Sequence, residues 1–221
     1  DQQGRVINAL TTPGVRQSFA DWGEGISNVN FKSVLERICF QIDNGHYDRV
    51  HILPAGKNTI KHELFTIEGH GTLIANNFVE QFKPIGAEEE IRLVKGILKR
   101  YKHLGYIKPR SDVYLKAHWR NFFVTLIDGI VVGCVEKKII DPETAEIAAL
   151  AISTKFRNQR VGVYTVKSFM QAVQTQGYIR VISLTNNPAL ITLYEKMGFV
   201  PCRRDQYPDR QAQSPGVAIF Y

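Results

Sequence analysis

Cysteine is scarce in this chain: Cys39, Cys134 and Cys202 are the 3 cysteines among 221 residues. An odd number at wide spacing gives neither a disulfide framework nor a paired C-x-x-C metal pattern. Such usage fits a reducing compartment, and each cysteine reads as a small buried hydrophobe. No metal site is expected. Missing too is any apolar run near the roughly 18–20 residues that a membrane-spanning helix needs, so no membrane partner is expected. The opening Asp1-Gln2-Gln3-Gly4-Arg5 is polar and lacks the apolar stretch of a secretory signal. The first residue is not Met, which reads as a processed product or a piece of a longer chain. Internal repeats and low-complexity tracts are absent as well, which argues against solenoids and linker arrays.

What is present describes a folded chain. Apolar residues make up 44% of the sequence and charged ones 22%. That suffices for one full core and a smaller second unit, and it excludes global disorder. The formal net charge is +7. A basic surface attracts anions in general, from nucleic acid to phosphorylated cofactors. The densest basic stretch, Lys95, Lys99, Arg100, Lys102, Lys108 and Arg110, reads as a solvated helix face. Aromatic interleaving of the kind that stacks bases is weak there, so no nucleic-acid partner is expected.

The clearest seam runs from Asn76 to Gly86: it is polar, contains Pro84 and ends on glycine. Before it, residues 31–44 read as an amphipathic helix with Val34, Leu35, Ile38, Phe40 and Ile42 mostly on one face. Residues 49–53 read as a strand and 59–65 as a short helix. Gly69, Gly71 and Thr72 form a turn into Leu73-Ile74. After the seam, 87–102 and 111–119 read as helices, the second capped by Ser111. Strands follow at 122–127 and 130–135, joined by an Asp128-Gly129 hairpin turn. Then come an Asp141-Pro142 turn, a strand at 146–153, a helix at 161–174, a strand at 179–184, a helix at 188–197, and strands at 199–202 and 216–220. A strand hairpin leading into alternating strands and helices predicts an α/β sheet with helices on both faces.

Two junctions carry the chemistry. Ile152-Ser153-Thr154-Lys155-Phe156-Arg157-Asn158-Gln159-Arg160-Val161-Gly162 ends a buried strand and starts a helix. Free backbone N–H groups at the positive end of a helix make an anion site, and Arg157 and Arg160 add charge. The second junction is Asn187-Pro188-Ala189-Leu190-Ile191-Thr192-Leu193-Tyr194-Glu195-Lys196-Met197-Gly198-Phe199.

These segments resemble the GNAT N-acetyltransferases, which carry N-x-x-A-x-x-L-Y-E-K-x-G-F after one strand and R-x-x-G-x-G/A after the strand before it. Asn187, Leu193, Tyr194, Glu195, Lys196, Gly198 and Phe199 stand in register, as do Arg157 and Gly162, with Arg160 at the usual first Gly. The resemblance implies a GNAT acyl-CoA N-acyltransferase fold over residues 85–221: a mixed, splayed sheet flanked by helices, using acetyl-CoA as co-substrate. Backbone amides of Asn158, Gln159, Arg160, Val161 and Gly162, with Arg157 beside them, then hold the pyrophosphate. The strand Ala149, Leu150, Ala151 and Ile152 lends a backbone N–H to the thioester oxygen. Asn187 contacts the pantetheine arm.

A wider resemblance covers nearly the whole chain. Residues 49–74 contain Glu63-Leu64-Phe65-Thr66 and then Gly69, Gly71 and Thr72, similar to the E-L-F-T…G-x-G-T stretch near the end of amino acid kinase domains. Residues 1–80 are thus identified as a partial amino-acid-kinase-like α/β segment, too short to phosphorylate anything. A kinase-like domain before a GNAT domain resembles the N-acetylglutamate synthase family, amino-acid N-acetyltransferases that open arginine biosynthesis. Gly105-Tyr106-Ile107-Lys108-Pro109-Arg110-Ser111 and Glu146-Ile147-Ala148-Ala149-Leu150-Ala151-Ile152 are similar to two further stretches of that family. The implied reaction is acetyl transfer to the α-amino group of L-glutamate. Glu146 is the implied general base, with Glu143 as fallback. Tyr194 is the implied acid for the leaving thiolate, with Thr185 second. Lys108 and Arg110, beside Ala149, take one substrate carboxylate; Arg203, Arg204 and Arg210 are candidates for the other. The family further implies homo-oligomers in the full-length protein. It implies a cytoplasmic location, with the mitochondrial matrix or plastid as alternatives. The competing readings are a GNAT enzyme for another amine and a CoA-binding regulatory module that no longer turns over.

Overall fold

The computed structural model describes residues 6–22, 29–65, 69–102, 107–156, 160–202, 204–207 and 218–220. The chain forms two compact units, Asp1–Val79 with Ser153–Arg160, and Glu80–Ile152 with Val161–Tyr221.

The first unit holds β1 (Ala9–Leu10), α1 (Thr12–Trp22), α2 (Val29–Asp43), β2 (Arg49–Ile52), α3 (Thr59–Phe65) and β3 (Thr72–Ala75). β3 lies in the middle of its sheet, parallel to β1 and antiparallel to β2. Sequence periodicity assigns neither β1 nor α1. The start of α1 is written in its capping residues instead: the Thr11 hydroxyl accepts the Gly14 N–H at 3.2 Å, and Pro13 occupies the first turn. α2 corrects the expected apolar face. Leu35, Ile38, Cys39 and Ile42 line the core with Val15 and Ile74. Val34 and Phe40 are 51% and 58% exposed, because they lie off the i, i+3, i+4, i+7 stripe.

The Glu63-Leu64-Phe65…Gly69…Gly71 stretch has a physical explanation within this unit; Thr66 lies outside the described residues. Buried Glu63 accepts the backbone N–H groups of His70 at 2.6 Å and Gly71 at 3.0 Å. His51 Nδ1 lies 2.9 Å from its other oxygen, and Lys155 Nζ comes within 3.6 Å. Gly69 is left-handed at φ +66, and a Cβ on Gly71 would sit 2.2 Å from the Ile52 carbonyl oxygen, so both positions exclude a side chain.

The second unit is a six-stranded sheet in the order β4 (Glu80–Pro84), β5 (Phe122–Ile127), β6 (Ile130–Asp141), β7 (Thr144–Ile152), β8 (Arg180–Thr185), β9 (Ala218–Phe220). All neighbours are antiparallel except β7 and β8. β4 lies inside the stretch expected to be a seam. Only pairing with β5 reveals it, since Glu80-Gln81-Phe82-Lys83-Pro84 is polar edge sequence. Asp128 and Gly129 both take positive φ, 53 and 79, the primed turn that closes the β5–β6 hairpin. Helices α4 (Ile91–Lys102), α5 (Asp112–Ala117), α6 (Val161–Gln174) and α7 (Pro188–Lys196) complete the unit. Ser111 caps α5 by accepting the Tyr114 N–H. The expected strand over 199–202 is not formed: Phe199 instead packs against Tyr194 in the main core, beside Phe123, Val135, Ile147 and Phe169.

Candidate active site

β7 carries the first part of the site. Its side chains alternate across the sheet. Ala145 and Ile147 enter the core with Phe169 of α6, so Glu146 and Ala148 take the opposite face, against which α4 packs. Glu146 is 3% exposed and lies directly across from Lys138 of β6. Glu143 differs in kind: it is an exposed turn residue paired with Arg180 at 3.1 Å.

β7 then changes course. It pairs with β8 as far as Ile147 opposite Ser183, while β8 continues with β9 to Thr185. The two central strands thus splay, and the described residues show no strand pairing on that edge of β7 beyond Ile147. On the other edge, Ala148 opposes Glu136 but Ala151 opposes Cys134. Ala149 and Leu150 therefore share one partner position, a bulge that re-aims the strand. Ala149 adopts φ 48 there, and the Cys134 thiol donates to its carbonyl at 3.8 Å. Burial pushes the Cys134 thiol up to about 12, so it remains protonated. The Ile152 carbonyl accepts the Tyr101 hydroxyl.

Past this opening the chain enters α6. Arg157, Asn158 and Gln159 lie outside the described residues. Arg160 is left-handed at φ 57 with an exposed side chain, a conformation that costs a non-glycine residue roughly 1–2 kcal/mol. The backbone shape that glycine ordinarily supplies is thus kept by an arginine. Val161 is buried, and a Cβ on Gly162 would meet nothing closer than a Leu193 methyl at 3.5 Å. The fold itself leaves room for alanine there.

β8 and α7 supply the remaining candidates. Asn187 is the N-cap of α7, its Oδ1 accepting the Ala189 N–H at 3.0 Å. Thr185 is buried and accepts the Asn187 N–H at 3.0 Å. Tyr194 is fully buried, and its hydroxyl is hydrogen-bonded to Ser183 at 2.9 Å. The Ser183 hydroxyl also lies 3.2 Å from the carbonyl of Ile147, the last β7 residue paired with β8. Burial pushes the Tyr194 phenol up to about 12, the Glu146 charge adding to the rise and the Ser183 hydrogen bond opposing it.

The comparisons with known proteins fit this geometry. Residues 91–199 match the Acetyltransferase (GNAT) family. The chain carries a GNAT acetyltransferase domain. It is 26% identical over 216 residues to the amino-acid acetyltransferase of Pseudomonas fluorescens strain SBW25, covering 96% of this chain and 48% of that protein. The chain therefore spans about half the length of the curated relatives it matches. Among solved structures, N-acetylglutamate synthase from Neisseria gonorrhoeae complexed with coenzyme A and N-acetyl-glutamate aligns at TM-score 0.59 and 22% identity, over 98% of this chain and 51% of that one. An acetyltransferase from Streptococcus agalactiae 2603 aligns at TM-score 0.52 and 17% identity, over 64% of this chain and 96% of that one. These structural likenesses show the fold.

In the GNAT domain the sequence reading overlooked two residues beside β7. Glu136, 1% exposed on β6, binds Arg110 and Tyr114. The signal was available: a glutamate at the end of Ile130-Val131-Val132-Gly133-Cys134-Val135, in a strand buried on both faces, must find a cation or donor. Arg110 therefore leaves the basic surface stretch to join a buried ion pair, while Lys108 is exposed. Arg203 and Arg210 lie outside the described residues, and so does the side chain of Arg204. Among the described residues, no cluster of His, Cys, Asp or Glu could hold a metal ion, and no helix is long and apolar enough to cross a membrane.

Proposed function

We propose that the GNAT domain transfers the acetyl group of acetyl-CoA directly to the α-amino group of L-glutamate. Glu146 removes a proton from the substrate ammonium, directly or through water, so that the free amine attacks the thioester carbon. A backbone N–H of the bulged β7 segment, from Ala149, Leu150 or Ile152, receives the developing oxyanion. Tyr194, held protonated by its burial, returns a proton to the leaving thiolate, with Thr185 as the second candidate. The N-terminal turn of α6, from Asn158 to Gly162, holds the pyrophosphate, helped by Arg157. Asn187 meets the pantetheine arm with the side of its amide not used for capping. Arg110, Lys108, Arg203 and Arg210 serve the two substrate carboxylates. The first unit is read as the end of an amino-acid-kinase-like domain, with oligomers forming in the full-length protein.

The observation that carries this reading is the buried Glu146 on β7, 3% exposed, just before the strand bulges and parts from β8. An apolar position would serve the core equally well there; a carboxylate at the mouth of the splay serves proton transfer. Thiol release from acetyl-CoA, measured with each of the twenty amino acids in turn, tests it. Release with L-glutamate is the expected result. Release with another amine instead overturns the substrate, and CoA binding without any release overturns the enzyme.

Gly162 separates ligand approach from folding. Gly162→Ala is expected to hold or raise the melting temperature, since alanine gains up to about 1 kcal/mol over glycine in a helix. CoA affinity, measured by calorimetry, is expected to fall about tenfold or more for Gly162→Leu, whose larger side chain blocks close backbone approach. Unchanged affinity would remove Gly162 from the cofactor site.

A further inference from the structure

Glu136 is the most deeply buried carboxylate on the Glu146 face of the sheet, and the proposed mechanism gives it no part. Its Oε2 accepts Arg110 Nε at 3.0 Å and Nη2 at 2.6 Å. Its Oε1 accepts the Tyr114 hydroxyl. Arg110 Nη1 donates in turn to the Lys108 carbonyl at 2.9 Å, and the guanidinium lies 5.9 Å from the Tyr114 ring centroid.

A guanidinium has five N–H donors in a rigid plane. Glu136 takes the side-on pair, from Nε and Nη2. The Lys108 carbonyl takes one hydrogen of Nη1. Nη1 and Nη2 together also form the end-on edge of the guanidinium, which Glu136 leaves uncovered and which matches a single carboxylate in the forked geometry. The Arg110 side chain keeps 17% exposure while Glu136 keeps 1%, so the arginine is the open member of the pair.

Register puts this arrangement next to the proposed base. Glu136 opposes Ala148, and Lys138 opposes Glu146, so Glu136 and Glu146 sit on one face of adjacent strands. Tyr114 feels both charges: burial raises its phenol to about 12, followed by the hydrogen bond and charge of Glu136, with Glu146 adding to the rise and Arg110 opposing it. A buried ion pair gains little stability over apolar packing, so fold stability alone is a weak reason to keep it.

We propose that Glu136 and Tyr114 are positioning residues that lock Arg110 with its end-on edge presented to one carboxylate of the acceptor amino acid. This deepens the glutamate reading above and rests on it for the identity of the acceptor. It makes the domain selective for a carboxylate-bearing amine over the same amine with that carboxylate blocked.

The test is calorimetric binding of L-glutamate, L-glutamine and L-isoglutamine to the full chain in the presence of CoA. Wild-type protein is expected to bind glutamate and to lose about tenfold or more in affinity when one particular carboxylate is amidated. Glu136→Leu is expected to weaken glutamate binding about 10–100-fold while leaving the amidated ligand and CoA at wild-type affinity. Glu136→Gln is expected to stay within about threefold of wild type, because both Arg110 bonds converge on one oxygen that an amide can replace. Tyr114→Phe, which keeps the ring, is expected to fall between them and covers the case of Glu136→Leu failing to fold. Equal losses for glutamate and its amides, or no loss in any variant, overturn the proposal, as does wild-type protein that binds no glutamate. Carboxylate-selective, Glu136-dependent binding without thiol release leaves the proposal standing and overturns the acetyl-transfer reading instead.

Discussion

Glu146→Gln is expected to lower the rate of acetyl transfer by about 10²–10⁴, the usual contribution of a positioned general base. The substitution keeps the shape of a side chain that is 3% exposed. CoA affinity and melting temperature should therefore stay close to wild type. The loss should appear in kcat and in kcat/KM for the amine alike, since the proton is transferred only on the way to the transition state. Glu143→Gln is the parallel control. Glu143 is an exposed partner of Arg180 at 3.1 Å, and exposed pairs of this kind contribute little; activity is expected to be unchanged. Steady-state thiol release for the two variants decides between the two carboxylates. A Glu146→Gln enzyme within about threefold of wild type would remove it from the mechanism.

The largest effect on stability is expected at Glu63. Glu63→Ala leaves Lys155 buried without its counter-charge and the His70 and Gly71 N–H groups without their acceptor. Breaking a buried pair from one side costs about 3–5 kcal/mol, so the first unit should melt well below its wild-type temperature or fail to fold. The effect also has a pH signature. Burial raises the Glu63 carboxyl, but the His70 and Gly71 N–H groups, Lys155 and His51 together outweigh it and hold it below the usual carboxylate range. A carboxyl lowered in the folded state contributes stability above its unfolded pKa, about 4.3. That contribution is lost as pH falls from there through the lower folded value. Wild-type protein should lose melting temperature over that acidic window, and Glu63→Ala should lose less. Thermal melts of both proteins across that window check the sign.

Much of the second unit can be read directly from residue order. The limits of α6, the α7 segment with Asn187 as its cap and Pro188 in its first turn, and the Asp128-Gly129 hairpin all depend on local preferences that act within a few residues. The junction before Gly162, proposed above to hold the pyrophosphate, is likewise local, because a strand end and a helix start are adjacent in the chain. Other features escape such reading for equally physical reasons. β4 is polar and short, and becomes a strand only when β5 offers its edge. Val34 and Phe40 look like core residues until the helix they share with Ile38 and Ile42 is rotated against its sheet. The loop Ser153–Arg160 belongs to the first unit by its packing, although its neighbours on both sides belong to the second.

The sequence by itself determined the order of elements from α4 to α7, the family resemblance and the residue types available for proton transfer and anion binding. These follow from backbone preference and side-chain chemistry, which are properties of short segments. Only the tertiary structure decided which carboxylates meet which cations. Arg110 finds Glu136 across 26 residues and Lys155 finds Glu63 across far more, because strand register and burial choose partners that sequence separation conceals. The splay of β7 from β8 is a decision of the same kind: it arises where one strand bulges at Ala149 and its neighbour turns to pair with β9.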